Sequence, residues 1–127
     1  MAYKLNVQAS LLEDNASFKN ESGNHECVVF IQMASTAPNT TMWKKGVKVM
    51  DTPPGTIPSG TVIATFDETG NYPPSQRHAA IYVSHNLSGI VVYDQWNSQG
   101  KVKKRKIRNQ SLSHRTVNDA SYFYVVE

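Results

Sequence analysis

Apolar positions along this chain keep two different periods. Cys27, Phe30, Ile31 and Ala34 follow the i, i+3, i+4, i+7 spacing of one helical face. From Thr61 onward the apolar residues gather instead in short runs separated by turn residues. The first pattern predicts a helix with Asn24 as N-cap and Glu26 in the first turn, where an acid is favourable. Pro38 stops it, because the residue before a proline disfavours helical backbone. Thr40 to Lys45 predicts a further helical turn, with Trp43 buried and Gly46 as its stop. Residues 1–23 are polar and weakly patterned; Leu5 and Val7 alternate briefly, and Leu11-Leu12 begins a short helix. This stretch is expected to be an arm that packs on the domain.

The second pattern predicts strands at Thr61–Phe66, 78–84, 89–96, 101–108 and Tyr122–Val126. Ile57-Pro58-Ser59-Gly60 suits a type I turn, with proline second and glycine fourth. Further turns are expected at His85-Asn86-Leu87-Ser88 and Asn97-Ser98-Gln99-Gly100, and Asp67 to Arg77 reads as a polar loop. A helix followed by an antiparallel meander is an α+β layout. There are no internal repeats and no low-complexity linker, so residues 1–127 are expected to form one domain.

Composition narrows the classes. No stretch approaches the roughly 20 apolar residues that span a bilayer, so membrane insertion is not expected. The N-terminus lacks an apolar core and a small-residue cleavage site, which predicts synthesis in the cytoplasm without a signal peptide. One cysteine excludes an internal disulfide. The net charge is +3, but residues 101–108 hold six of the thirteen basic side chains; removing those six leaves −3 for the remainder. The protein is therefore a near-neutral domain with one basic strip.

The lone cysteine has the placing of a nucleophile. Cys27 follows Gly23-Asn24-His25-Glu26 at a loop-to-helix junction. The positive end of a helix dipole favours thiolate, the reactive form. His78 opens one strand-like run, and the run Ile90-Val91-Val92-Tyr93 leads into Asp94 and Gln95. Thiol hydrolysis of an amide needs a thiolate, an imidazole, a group that orients the imidazole, and donors for the oxyanion. Cys27, His78 and its own helix-terminal N–H supply three of these. The fourth depends on hairpin register. A three-residue loop between Ser84 and Ser88 sets His78 opposite Asp94; a four-residue loop between Ser84 and Gly89 sets it opposite Gln95. Asp94 is favoured, because it also neutralises an imidazolium.

The segments Glu26-Cys27-Val28-Val29-Phe30-Ile31-Gln32, Ile57-Pro58-Ser59-Gly60-Thr61-Val62-Ile63-Ala64, His78-Ala79-Ala80-Ile81-Tyr82-Val83 and Val92-Tyr93-Asp94-Gln95-Trp96 together resemble the NlpC and CHAP group of papain-like peptidoglycan amidases. Within it they resemble the small amidase effectors of type VI secretion systems. The resemblance covers residues 24–96, more weakly to the C-terminus. It implies a papain-like α+β fold, with an N-terminal helix bearing Cys27 packed on an antiparallel sheet. It implies hydrolysis of an amide bond in stem peptides or cross-links by Cys27, His78 and Asp94, without a metal or organic cofactor. It also implies delivery to a target cell's periplasm and a cognate immunity protein. Gly60-Thr61 stands where the family has Gly-Asp, and the expected third group is not a second histidine placed closer to the first, as it is in many NlpC members.

Other residues have plainer readings. His25 and Trp96 are candidate substrate contacts. His25-Glu26, His85 and His114 fit no zinc signature, so no metal is expected. The 101–108 strip reads as a solvated edge strand, since lysines discourage edge pairing, or as a patch drawn to an anionic wall. A non-enzymatic basic binding module on that strip, gripping nucleic acid, is the rival class; no recognised motif accompanies it, and no nucleic-acid partner is expected. A housekeeping or phage-derived wall hydrolase is the alternative within the same fold.

Overall fold

Six strands form one antiparallel sheet in the order β1-β6-β2-β3-β4-β5. The computed structural model describes residues 2–127; Met1, the first residue of the expected arm, lies outside them. The strands are β1 (Lys45–Lys48), β2 (Val62–Thr65), β3 (Ala79–Asn86), β4 (Gly89–Asp94), β5 (Lys103–Arg108) and β6 (Phe123–Val126). Two helices precede them, α1 (Ala9–Glu13) and α2 (Cys27–Ala34). Strands β2 to β5 form the expected meander. The last strand does not extend it: β6 inserts between β1 and β2. Strand β1 was not foreseen; the expected turn ends as a short 3-10 segment at Thr40–Met42, and Gly46 lies inside β1 instead of stopping a helix.

Both faces of the sheet's middle are buried, which is why β2, β4, β6 and the first half of β3 read as nearly continuous apolar runs, whereas the edge strands β1 and β5 do not. One face packs Val62, Ala64, Ala79, Ile81 and Tyr93 against Phe30, Ile31 and Ala34 of α2 and Leu12 of α1. The other packs Ile63, Ala80, Tyr82, Ile90, Val92 and Ile107 against Val49, Ile57, Ala120 and Phe123. The arm docks as expected. Leu5 N–H donates to Gly60 O at 2.8 Å, Val62 N–H donates to Tyr3 O at 2.9 Å, and Phe18 stacks on Phe30 with ring centroids 5.2 Å apart.

Local chemistry moved two turns. Gly60 takes φ +97 at the third position of a turn closed by Thr61 N–H on Pro58 O, so the turn begins at Pro58 and needs its glycine in the left-handed region. The β3–β4 hairpin is tighter than either register read from sequence. Asn86 pairs with Gly89, leaving Leu87 and Ser88 as the turn, and Asn86 Oδ1 accepts from the N–H and hydroxyl of Ser88. A bulge at Val83 then slips the ladder by one residue, so Ile81 faces Tyr93. Without that slip Gln95 would lie opposite Ala80. With it Asp94 does, on the face shared by His78 two residues earlier.

Gly89 holds this hairpin against β5. A methyl group there would collide with the Ile107 carbonyl and lie 3.0 Å from Arg108 Cα, both backbone atoms. Gly89→Ala is therefore expected to destabilise the fold by about 1–3 kcal/mol. Urea unfolding checks this: the midpoint falls at an unchanged slope, whereas an unmoved midpoint contradicts the close approach.

Candidate active site

Helix α2 starts at Cys27 itself. Glu26 is the N-cap, with extended backbone at φ −61 and ψ 155. Asn24, the expected cap, instead closes the preceding loop: its N–H donates to Asn20 Oδ1 at 2.9 Å and its carbonyl accepts from Asn20 N–H at 3.1 Å. The first intrahelical bond belongs to Val29 N–H, which donates to Glu26 O at 3.0 Å. Cys27 N–H thus has no helical acceptor, makes no hydrogen bond among the described residues, and stands at the positive end of the helix dipole.

His78 sits just before β3 and is 6% exposed. Its N–H donates to Thr65 Oγ1 at 3.0 Å, fixing the backbone, and its ring Nε2 lies 2.7 Å from Asp94 Oδ2. The ring acts electrostatically on the Cys27 sulfur, and both side chains line one cavity. With Nε2 on Asp94, Nδ1 is the nitrogen left for the thiol. The three residues come from a helix start, a strand start and a strand end, and the fold brings them together, Asp94 on the ring of His78 and Cys27 in the same cavity as that ring.

Electrostatics polarise that group. Burial alone pushes the Cys27 thiol up. The hydrogen bond and charge of His78 outweigh it, helped by Ala79 N–H and the Tyr72 hydroxyl, and the thiol ends below its ordinary value. Burial disfavours the charged His78 ring, but hydrogen bonds to Asp94 and Cys27 and their charges push it up to about 9. The site thereby favours thiolate and imidazolium together. Tyr72, whose hydroxyl lies 3.7 Å from the sulfur, is held protonated above the phenol range by burial and by the Cys27 charge.

Asp94 is fully buried and shared. Arg105 Nε lies 3.0 Å and 2.8 Å from its two carboxylate oxygens, and Arg105 Nη2 lies 2.7 Å from Oδ2. Arg105 also stacks over the Trp96 ring at 5.0 Å. The strip at 101–108 therefore lies on the sheet edge, as expected, but one of its cations points inward. Its signal was the strand's period of two, which places Arg105 on the face of buried Ile107. No sequence feature marked Tyr72, which lies in the polar loop.

Gln95 is engaged elsewhere. Its side-chain amide accepts from Phe18 N–H at 3.0 Å and donates to Phe18 O at 2.7 Å, so it holds the arm and leaves the ring of His78 to Asp94. Trp96 does reach the site, with its ring 6.3 Å from that of His78. His25 is tied through its backbone N–H to Asn97 Oδ1 at 2.7 Å. A cavity of about 250 Å³ opens over Cys27, lined by Glu26, Val28, Tyr72, Arg77, His78, Trp96 and Asn97. The His25 ring does not line it. Among the described residues no group of three or more metal-ligating side chains occurs, and no helix is long and apolar enough to cross a membrane.

The chain is similar to known proteins in sequence and, in one solved case, in structure. A type VI secretion amidase effector 2 protein of Salmonella typhi is 34% identical over 134 aligned residues, covering 95% of this chain and 96% of that protein. A domesticated amidase effector 2 of Ixodes scapularis is 41% identical over 88 residues, covering 69% of this chain and 58% of the tick protein. The solved structure of a type 6 secretion amidase effector 2 (Tae2) superposes with a TM-score of 0.75 at 30% identity, covering 93% of this chain and 91% of that one. The sequence profile of the family described as domesticated amidase effector 2 matches residues 7–126, and the chain belongs to that amidase effector family.

Proposed function

We propose that this chain is a single-domain cysteine amidase of papain-like architecture, which hydrolyses an amide bond in peptidoglycan stem peptides or cross-links. The observation that carries the reading is His78, hydrogen-bonded to buried Asp94 and lining one open cavity together with Cys27. Its relatives are named as type VI secretion amidase effectors, which supports an antibacterial effector delivered to a target cell's periplasm, with an immunity protein as partner.

The chemistry follows from the protonation states. Cys27 thiolate attacks the carbonyl carbon, and the oxyanion accepts hydrogen bonds from the Cys27 N–H and the Tyr72 hydroxyl. The His78 imidazolium gives its proton to the leaving nitrogen, the C–N bond breaks, and a thioester remains. Neutral His78 then takes a proton from water as the oxygen attacks the thioester, and thiolate leaves. Asp94 keeps the ring oriented and stabilises its cation in both halves.

Cys27→Ala is expected to abolish release of soluble fragments from purified sacculi while circular dichroism stays native. Release equal to that of the unaltered protein contradicts the reading. The raised His78 value sets the alkaline limit. Below about 9 the ring is protonated and can serve the leaving nitrogen; above it that proton is lost. The kcat/KM of muropeptide cleavage should therefore fall as pH rises through about 9. A rate that climbs steadily through that range contradicts the ion pair.

A further inference from the structure

A second cavity, of about 360 Å³, adjoins the first and shares Arg77, His78 and Trp96 with it. Arg105, Val117 and Asn118 complete its lining, and Cys27 does not reach it. The position assigns it to one half of the substrate. The acyl carbon must lie on the sulfur, and the leaving nitrogen must lie on the proton of His78. Whatever carries that nitrogen extends past His78 into this second cavity.

Charge there is unbalanced. The Cys27 thiolate is offset by His78, and Asp94 by Arg105. Arg77 makes no hydrogen bond and no ion pair among the described residues; its guanidinium lies over the Tyr72 ring at 5.5 Å. Arg105 uses Nε and Nη2 on Asp94, and its Nη1 has no partner among the described residues. No carboxylate lines this cavity, whereas Glu26 lines the one over Cys27. Two guanidiniums with unused donors, flanked by Trp96 and Val117, match a carboxylate in charge and in the donors they offer.

The walls are held in place before any ligand arrives. Gln76 adopts φ +48 immediately before Arg77, and Arg115 donates to the carbonyls of Ser75 and Gln76 at 3.2 Å and 3.4 Å. Beside Asn118, buried Asp119 accepts N–H bonds from Gln110, Leu112 and Ser121 at 3.0, 2.8 and 3.0 Å. Preorganisation of this kind lowers the ordering cost of binding.

We infer that this cavity is a carboxylate subsite, in which Arg77 and the free N–H groups of Arg105 hold a carboxylate of the substrate residue that supplies the leaving amine. The inference rests on the amidase reading above and adds to it a chemical requirement on one side of the scissile bond. Stem peptides meet it where that residue is a diacid with a free carboxylate, and fail it where the carboxylate is amidated.

A matched pair of synthetic muropeptides tests this, identical except that the carboxylate on the amine-supplying residue is free in one and a primary amide in the other. The unaltered protein is expected to prefer the free acid by about tenfold or more in kcat/KM. Arg77→Gln should bring the ratio close to one, and Arg77→Lys should keep part of it, because charge survives without the planar fork. Arg77 is exposed, and a thermal melt confirms that each variant is folded. Equal cleavage of both peptides by the unaltered protein, or an undiminished ratio in Arg77→Gln, overturns the subsite and leaves the amidase reading standing. Cleavage of neither peptide overturns the amidase reading and the subsite with it.

Discussion

The bond between His78 Nε2 and Asp94 Oδ2, 2.7 Å long and shut away from water, is the constraint on which the site depends. It commits one ring nitrogen to the carboxylate and so turns the other toward the sulfur. It also supports a positive ring in surroundings that would otherwise neutralise it. The thiol responds to that charge, since burial alone would hold it protonated. Arg105 completes the arrangement from the far side, clamping Asp94 so that a carboxylate with no solvent exposure keeps a fixed orientation.

The scaffold supplies these positions through ordinary backbone devices. The bulge at Val83 decides which side of β4 meets the face of His78, and therefore whether an acid or an amide stands there. The tight turn at Leu87-Ser88 sets the register at the hairpin end, and the glycine after it lets β5 approach closely. On the opposite face α2 packs Phe30, Ile31 and Ala34 onto the sheet, which sets the height of its first residue, Cys27. A bond between Gln95 and Phe18 ties the arm to the end of β4 next to the site. Cys27, His78 and Asp94 thus sit at the ends of a helix and two strands, with Tyr72 reaching the sulfur from a loop.

Much of this was legible in the sequence because it follows from local periodicity. The face of α2, five of the six described strands and the meander came from spacing alone. The pairing of His78 with Asp94 was reached through chemistry, since neither hairpin register considered was the observed one; the bulge restores the parity that the shorter turn would have broken. Other features escaped because they are set by contacts distant in the chain. Strand β1 is a four-residue edge with no apolar alternation, paired only with β6, and β6 crosses to the middle of the sheet from the far end of the chain. Asn24 looked like a cap, yet its partner is Asn20 and the helix opens three residues later. Arg105 looked like one cation among six, and only its parity with Ile107 marks it as inward-facing.

The central claim is an ionised sulfur held by a charged ring, and titrating that sulfur tests it most directly. Ultraviolet thiolate absorbance, taken as the difference between the unaltered protein and Cys27→Ala, follows Cys27 alone, because the chain has one cysteine. The account predicts ionisation below the ordinary thiol value of 9.0, moving up once His78 is replaced by alanine. A thiol that ionises at or above 9.0 in the unaltered protein, and does not move when His78 is removed, contradicts it.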